Sequence, residues 1–128
     1  MKVNLSNERI VNDAANLRAI SEKQLPVKVS YAIAKNMAKI ESELKVYNKE
    51  RAKLIDKYGE KEKDGKLKLG ENGSIVIKED SKDKWDKAIN ELLEIENEID
   101  IHKFNMDLLE GHSIKPSELM TIDYMIED

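Results

Sequence analysis

The chain has 128 residues, a mass of 14.7 kDa and a formal net charge of −4, with 38% charged, 40% hydrophobic and 5% aromatic residues. It contains no cysteine, which excludes disulfides, thiolate catalysis and cysteine-built zinc sites. No run of about 18 apolar residues is present, so no membrane-spanning helix is expected.

The charge is unevenly spread. Residues 1–58 carry 12 Lys/Arg against 7 Asp/Glu, and residues 59–128 carry 10 against 19. Two oppositely charged segments lying side by side explain this, and so does a face that meets a charged partner. The opening Met1-Lys2-Val3-Asn4-Leu5-Ser6 has no apolar leader, and a cytosolic location is expected.

The first helix is expected over 6–21. Ser6 or Asn7 can cap it, and Ile10, Ala14, Leu17 and Ile20 recur at helical spacing. Pro26 interrupts the pattern. Val27-Lys28-Val29-Ser30-Tyr31 then reads either as an extended segment or as the first turn of the next helix. That helix is assigned to 27–58, on the seam Ile33, Met37, Ile40, Leu44, Tyr47, Arg51, Leu54 and Tyr58. The steps alternate between four and three, a heptad pattern. Gly59 is expected at the C′ position with positive φ.

A charged connector follows, then Leu67-Lys68-Leu69 and Ile75-Val76-Ile77 around Gly70-Glu71-Asn72-Gly73. Asn-Gly between alternating segments predicts a β-hairpin over 66–78. A helix over 81–97 carries Trp85, Ala88, Ile89, Leu92 and Ile95 on one stripe. It is expected to lie antiparallel to the long helix, burying Leu44, Tyr47, Leu54 and Tyr58. Residues 98–104 read as a strand beside the hairpin or as more helix. Pro116 opens a last helix, 116–126, with Leu119, Ile122, Met125 and Ile126 on one side. The expected fold is one elongated domain, mainly α: a long antiparallel helical hairpin with a small β-hairpin or three-stranded sheet inserted (α+β). A monomer and a homodimer pairing through the seam both satisfy the pattern.

The order of elements resembles a family of small uncharacterised proteins encoded by tailed phages and prophages of low-GC Gram-positive bacteria. The resemblance is carried by the run Leu25 to Asn36 with the charged helix after it, by Lys57-Tyr58-Gly59-Glu60 with Asp64-Gly65-Lys66, and by Lys115-Pro116-Ser117-Glu118-Leu119. It implies a location in the host cytoplasm or the virion, and it transfers no activity and no site residue.

No catalytic constellation emerges. His102 and His112, the two histidines, are ten residues apart near Glu98, Asp100 and Glu110, a spacing that matches no metal motif. Gly70-Glu71-Asn72-Gly73 lacks the Lys-Ser/Thr of a phosphate loop. No enzyme activity, cofactor or metal is therefore expected. The basic residues of the long helix include Lys35, Lys39, Lys49 and Lys53, interrupted by acidic ones. Weak nucleic-acid binding through that helix is a third-ranked reading. The leading expectation is a phage-encoded accessory protein that binds another protein, host or phage, with inhibition of a host protein or defence complex as the role it would serve. An interface is expected at Val27, Val29, Tyr31, Lys35, Lys39, Glu98 and Asp100. The alternative is an adaptor in head or tail assembly.

Overall fold

The structure, a computed structural model, describes residues 1–127. The fold is mainly helical with small β-sheets. In chain order, strand β1 (Lys2–Ser6) is followed by helices α1 (Asn7–Ser21), α2 (Val27–Tyr58) and α3 (Lys82–Glu94), then by strands β2 (Glu96–Asp100) and β3 (Phe104–Asn105), helix α4 (Pro116–Thr121) and strand β4 (Ile126–Glu127). The chain forms two compact units, one of residues 1–44 with 96–128 and one of residues 45–95.

In the first unit, β1 pairs antiparallel with β2, Val3 opposite Ile99 and Leu5 opposite Asn97. Ser6 ends β1 and starts α1, its hydroxyl accepting the Arg9 N–H at 3.1 Å. That bond satisfies one of the open donors of the first turn. Ile10, Leu17 and Ile20 of α1 enter a core with Val29, Ile33 and Ile40 of α2, Ile99, Ile101, Phe104, Ile122 and Met125. Met37 and Leu44 also pack on this core. The first half of the α2 seam is therefore closed by α1 and the C-terminal segments. Leu44, expected to meet α3, belongs here instead.

Residues 98–104 do not join the hairpin. Their alternation places Ile99 and Ile101 inside while Glu98, Asp100 and His102 are exposed. The edge they satisfy is β1. The alternation then slips, because Phe104 rather than Lys103 is buried. At the chain's end the helix stops at Thr121 instead of reaching residue 126. A 3-10 turn, Asp123–Met125, follows, then β4, which runs parallel to β3 with Phe104 opposite Ile126. Tighter winding brings residues three apart onto one side, and Ile122 and Met125 both reach the core fully buried.

In the second unit, three extended segments meet in pairs: Gly59 with Ile77, Lys61 with Leu67, and Leu69 with Ile75. Their backbones close a ring of hydrogen bonds. Glu60 N donates to Val76 O at 2.7 Å, Val76 N to Lys68 O at 3.3 Å, and Lys68 N to Glu60 O at 2.8 Å. The third partner of the 67–69 and 75–77 segments is thus residues 59–61, formed by the expected helix-ending Gly59 and the start of the charged connector. Gly59 does not have positive φ. A Cβ there would lie 2.5 Å from Ile55 O and 2.7 Å from Leu67 Cδ2, so glycine is required for close approach rather than for handedness. Helix α3 ends at Glu94 with Ile95 in extended conformation. This removes Ile95 from the stripe and leaves it 51% exposed. Tyr47 and Ile55 are buried, and Leu54, Tyr58, Trp85, Ala88, Ile89 and Leu92 are half-buried.

Candidate functional site

The segment after Pro26 is helical, not extended. The Pro26 carbonyl accepts the N–H groups of Val29 and Ser30, each at 3.0 Å. Helical geometry then separates residues that an extended chain would have placed together. Val29 turns inward with Ala32, Ile33 and Asn36, and its exposure is 0%. It is a packing residue and cannot contact a partner. Val27 and Tyr31, one helical turn apart, remain 84% and 55% exposed. Lys28 and Lys35 are exposed beside them.

Across from this turn runs the link between β2 and β3. Asn36 is fully buried within α2. Its Nδ2 donates to the His102 carbonyl at 2.8 Å, and its Oδ1 accepts the His102 N–H at 2.8 Å. The neighbouring Ile101 makes its backbone bonds to Met1. One residue is held by Met1, just ahead of β1, and the next by a side chain of α2, so the link is fixed from both sides. The His102 ring consequently stands edge-on to Tyr31, with centroids 5.7 Å apart and planes at 83°. Lys35 Nζ lies 5.3 Å from the Tyr31 ring centroid, a cation–π distance.

A cleft of about 390 Å³ opens between these groups, lined by Lys28, Tyr31, His102 and Lys103 together with Phe104, Asn105, Leu108 and Glu127. Asn105 accepts the Asp107 N–H at 2.9 Å and so starts the 3-10 turn that carries Leu108.

The other residues expected at an interface are engaged within the chain. Lys39 Nζ donates to the Asp100 carbonyl at 2.6 Å. The Asp100 carboxylate meets the Met1 ammonium at 3.0 Å, and this hydrogen bond holds its carboxyl below the usual range. Glu98 bridges Lys2 at 3.2 Å. The structure therefore gathers Val27, Tyr31 and Lys35, removes Val29, and commits Lys39, Glu98 and Asp100 to internal contacts. His102, Lys103 and Leu108 complete the face and were not anticipated. The readable signal is Asn36, a polar residue on the apolar face of a charged helix.

A second cleft, of about 530 Å³, surrounds Arg9. Here the guanidinium is already satisfied by Asp13 at 3.2 Å, Asp123 at 2.7 Å and the Met120 carbonyl at 3.0 Å. It also sits 4.9 Å from the Tyr124 ring centroid. Burial opposes its charge, but the Asp123 and Asp13 hydrogen bonds outweigh that and raise its pKa. This arrangement joins α1 to the C-terminal turn. His112 lines a different cleft from His102. Among the described residues, no group of three or more His, Asp or Glu is placed to hold a metal. No helix among them is long and apolar enough to cross a membrane.

A family model described as a protein of unknown function (DUF1617) matches residues 6–127. No curated protein and no solved structure matches the chain.

Proposed function

The chain belongs to the DUF1617 family, and we propose that it is a phage-encoded, non-enzymatic accessory protein that docks onto a host protein and inhibits it. The reading is carried by one observation: Val27 and Tyr31 stand exposed beside a cleft whose far wall is held in place by Asn36. Exposed apolar groups at a preordered cleft suit recognition, because little ordering entropy is lost on binding. Aromatic residues at such sites are frequent binding hot spots.

The test is photo-crosslinking in a Gram-positive host. A photoreactive phenylalanine analogue replaces Val27, and a control protein carries it at Glu22. The expected result is one dominant host adduct at position 27 that is absent at position 22. No adduct, or the same adducts at both positions, overturns the reading.

A further inference from the structure

We infer that the segment received by the Tyr31 cleft is acidic and carries one large apolar side chain. This rests on the docking reading above and adds the chemistry of the partner.

The first unit is acidic overall, with 9 Lys/Arg against 14 Asp/Glu. Most of its cations are used internally: Lys2 with Glu98, Arg9 with Asp13 and Asp123, Arg18 with Glu41, and Lys23 with Glu118. Lys39 is taken by a backbone carbonyl. Among the described residues, Lys28, Lys35, Lys103 and Lys115 form no ion pair with a carboxylate; Lys115 lies at the start of α4 in the field of Glu118, whereas Lys28 and Lys103 line the Tyr31 cleft and Lys35 lies over the Tyr31 ring. Cations left unpaired in an acid-rich unit, gathered around one exposed aromatic, form a local field that complements carboxylates.

The size of the cleft defines the anchor. At about 390 Å³ it lies near the low end of small-molecule pockets, about 300–1,000 Å³. That is room for one side chain with adjoining backbone. Phe104 and Leu108 supply apolar lining, so the inserted group is apolar, and the three lysines receive the acidic residues on either side of it.

Single-stranded nucleic acid is the competing polyanion. It requires a free aromatic face for stacking. Lys35 already lies over the Tyr31 ring, and the His102 ring meets it edge-on. Glu127 in the cleft lining and the negative charge of the unit oppose a phosphate backbone further. A peptide carries fewer charges and can set a donor opposite Glu127.

The test uses random dodecapeptides displayed on particles and selected on the full chain, with recovered sequences then measured as synthetic peptides. The expected consensus is one Trp, Phe, Leu or Met flanked by Asp or Glu. Binding should fall about tenfold in Lys28→Glu/Lys103→Glu and with rising salt, persist in Lys28→Arg/Lys103→Arg, and be lost in Tyr31→Ala. All these positions lie on the cleft wall away from the core, and circular dichroism confirms that each variant is folded. Peptides lost in Tyr31→Ala but lacking acidic residues overturn the inference and leave the docking reading standing. So does a thymidine oligonucleotide that binds this face more tightly than any selected peptide. If no selected peptide responds to Tyr31→Ala, both readings fall.

Discussion

Asn36 and His102 are joined by two hydrogen bonds of 2.8 Å, each running from a side-chain atom of one helix to a backbone atom of an irregular link. In effect the carboxamide replaces a strand: it offers a donor and an acceptor where a third strand beside β2 would have offered a peptide group. Because Asn36 is fully buried, its carboxamide has no water to fall back on.

Asn36→Leu removes the partner of the N–H and C=O of His102, both of them in part-buried bonds. An unsatisfied buried group costs about 1–3 kcal/mol, so a loss of about 2–4 kcal/mol is expected in urea unfolding. Asn36→Asp restores the acceptor alone and should fall between Leu and wild type at neutral pH. A Leu variant as stable as wild type would show that the clamp contributes nothing.

The two valines at the start of α2 provide a contrast. Val29→Ala should cost about 2 kcal/mol by opening a buried cavity. Val27→Ala should change stability by less than about 0.5 kcal/mol, as exposed positions do. Equal effects would contradict the helical start at Val27.

Gly59→Ala tests the backbone ring of the second unit. With Ile55 O and Leu67 Cδ2 closer than 3 Å to the new Cβ, one segment must move. A loss of about 1–3 kcal/mol is expected, typical of overpacking. Amide exchange should locate the change at Glu60, Lys68 and Val76.

Glu118 links stability to acid. Its carboxylate accepts the Lys115 backbone N–H at 2.9 Å and bridges Lys23 at 2.9 Å. The first interaction, aided by the second, holds its carboxyl below the usual value of 4.5. A depressed pKa stabilises the fold above 4.5, and that contribution is lost as pH falls through the lower folded value. Urea midpoints measured from neutral pH downward should show a shallower decline in Glu118→Gln than in wild type.

Tyr124 gives the alkaline counterpart. Burial pushes its hydroxyl up to about 12 from 10.0, with Arg9 partly opposing the shift. The folded state keeps its proton after the unfolded state has lost it. Stability is thus full below 10 and declines as pH rises toward 12. Tyr124→Phe should remove this part of the decline, and a wild-type alkaline limb identical to that of the variant would disprove it.

Much of the helical layout was readable because apolar spacing survives translation into structure. Ile10, Leu17 and Ile20 announce one buried stripe, and Ile33, Ile40 and Tyr47 another. The docking face was readable only in part. Val27, Val29 and Tyr31 share a face in a strand but not in a helix, and the local sequence allowed both conformations. His102 could not be placed, since its neighbour across space is 66 residues away along the chain.

What this chain's residues determine alone is local: caps at Ser6, breaks at Pro26 and Pro116, and the periodicity of α1 and α2, all arising from interactions within a few residues. Tertiary structure decided the pairings. Whether Ile99 and Ile101 joined the hairpin or the β1 edge, and whether Leu44 met α3 or the core of the first unit, depended on which distant edge and which apolar face remained unsatisfied. Hydrogen-bond valence and burial are settled over the whole folded unit, so no window of sequence contains the answer.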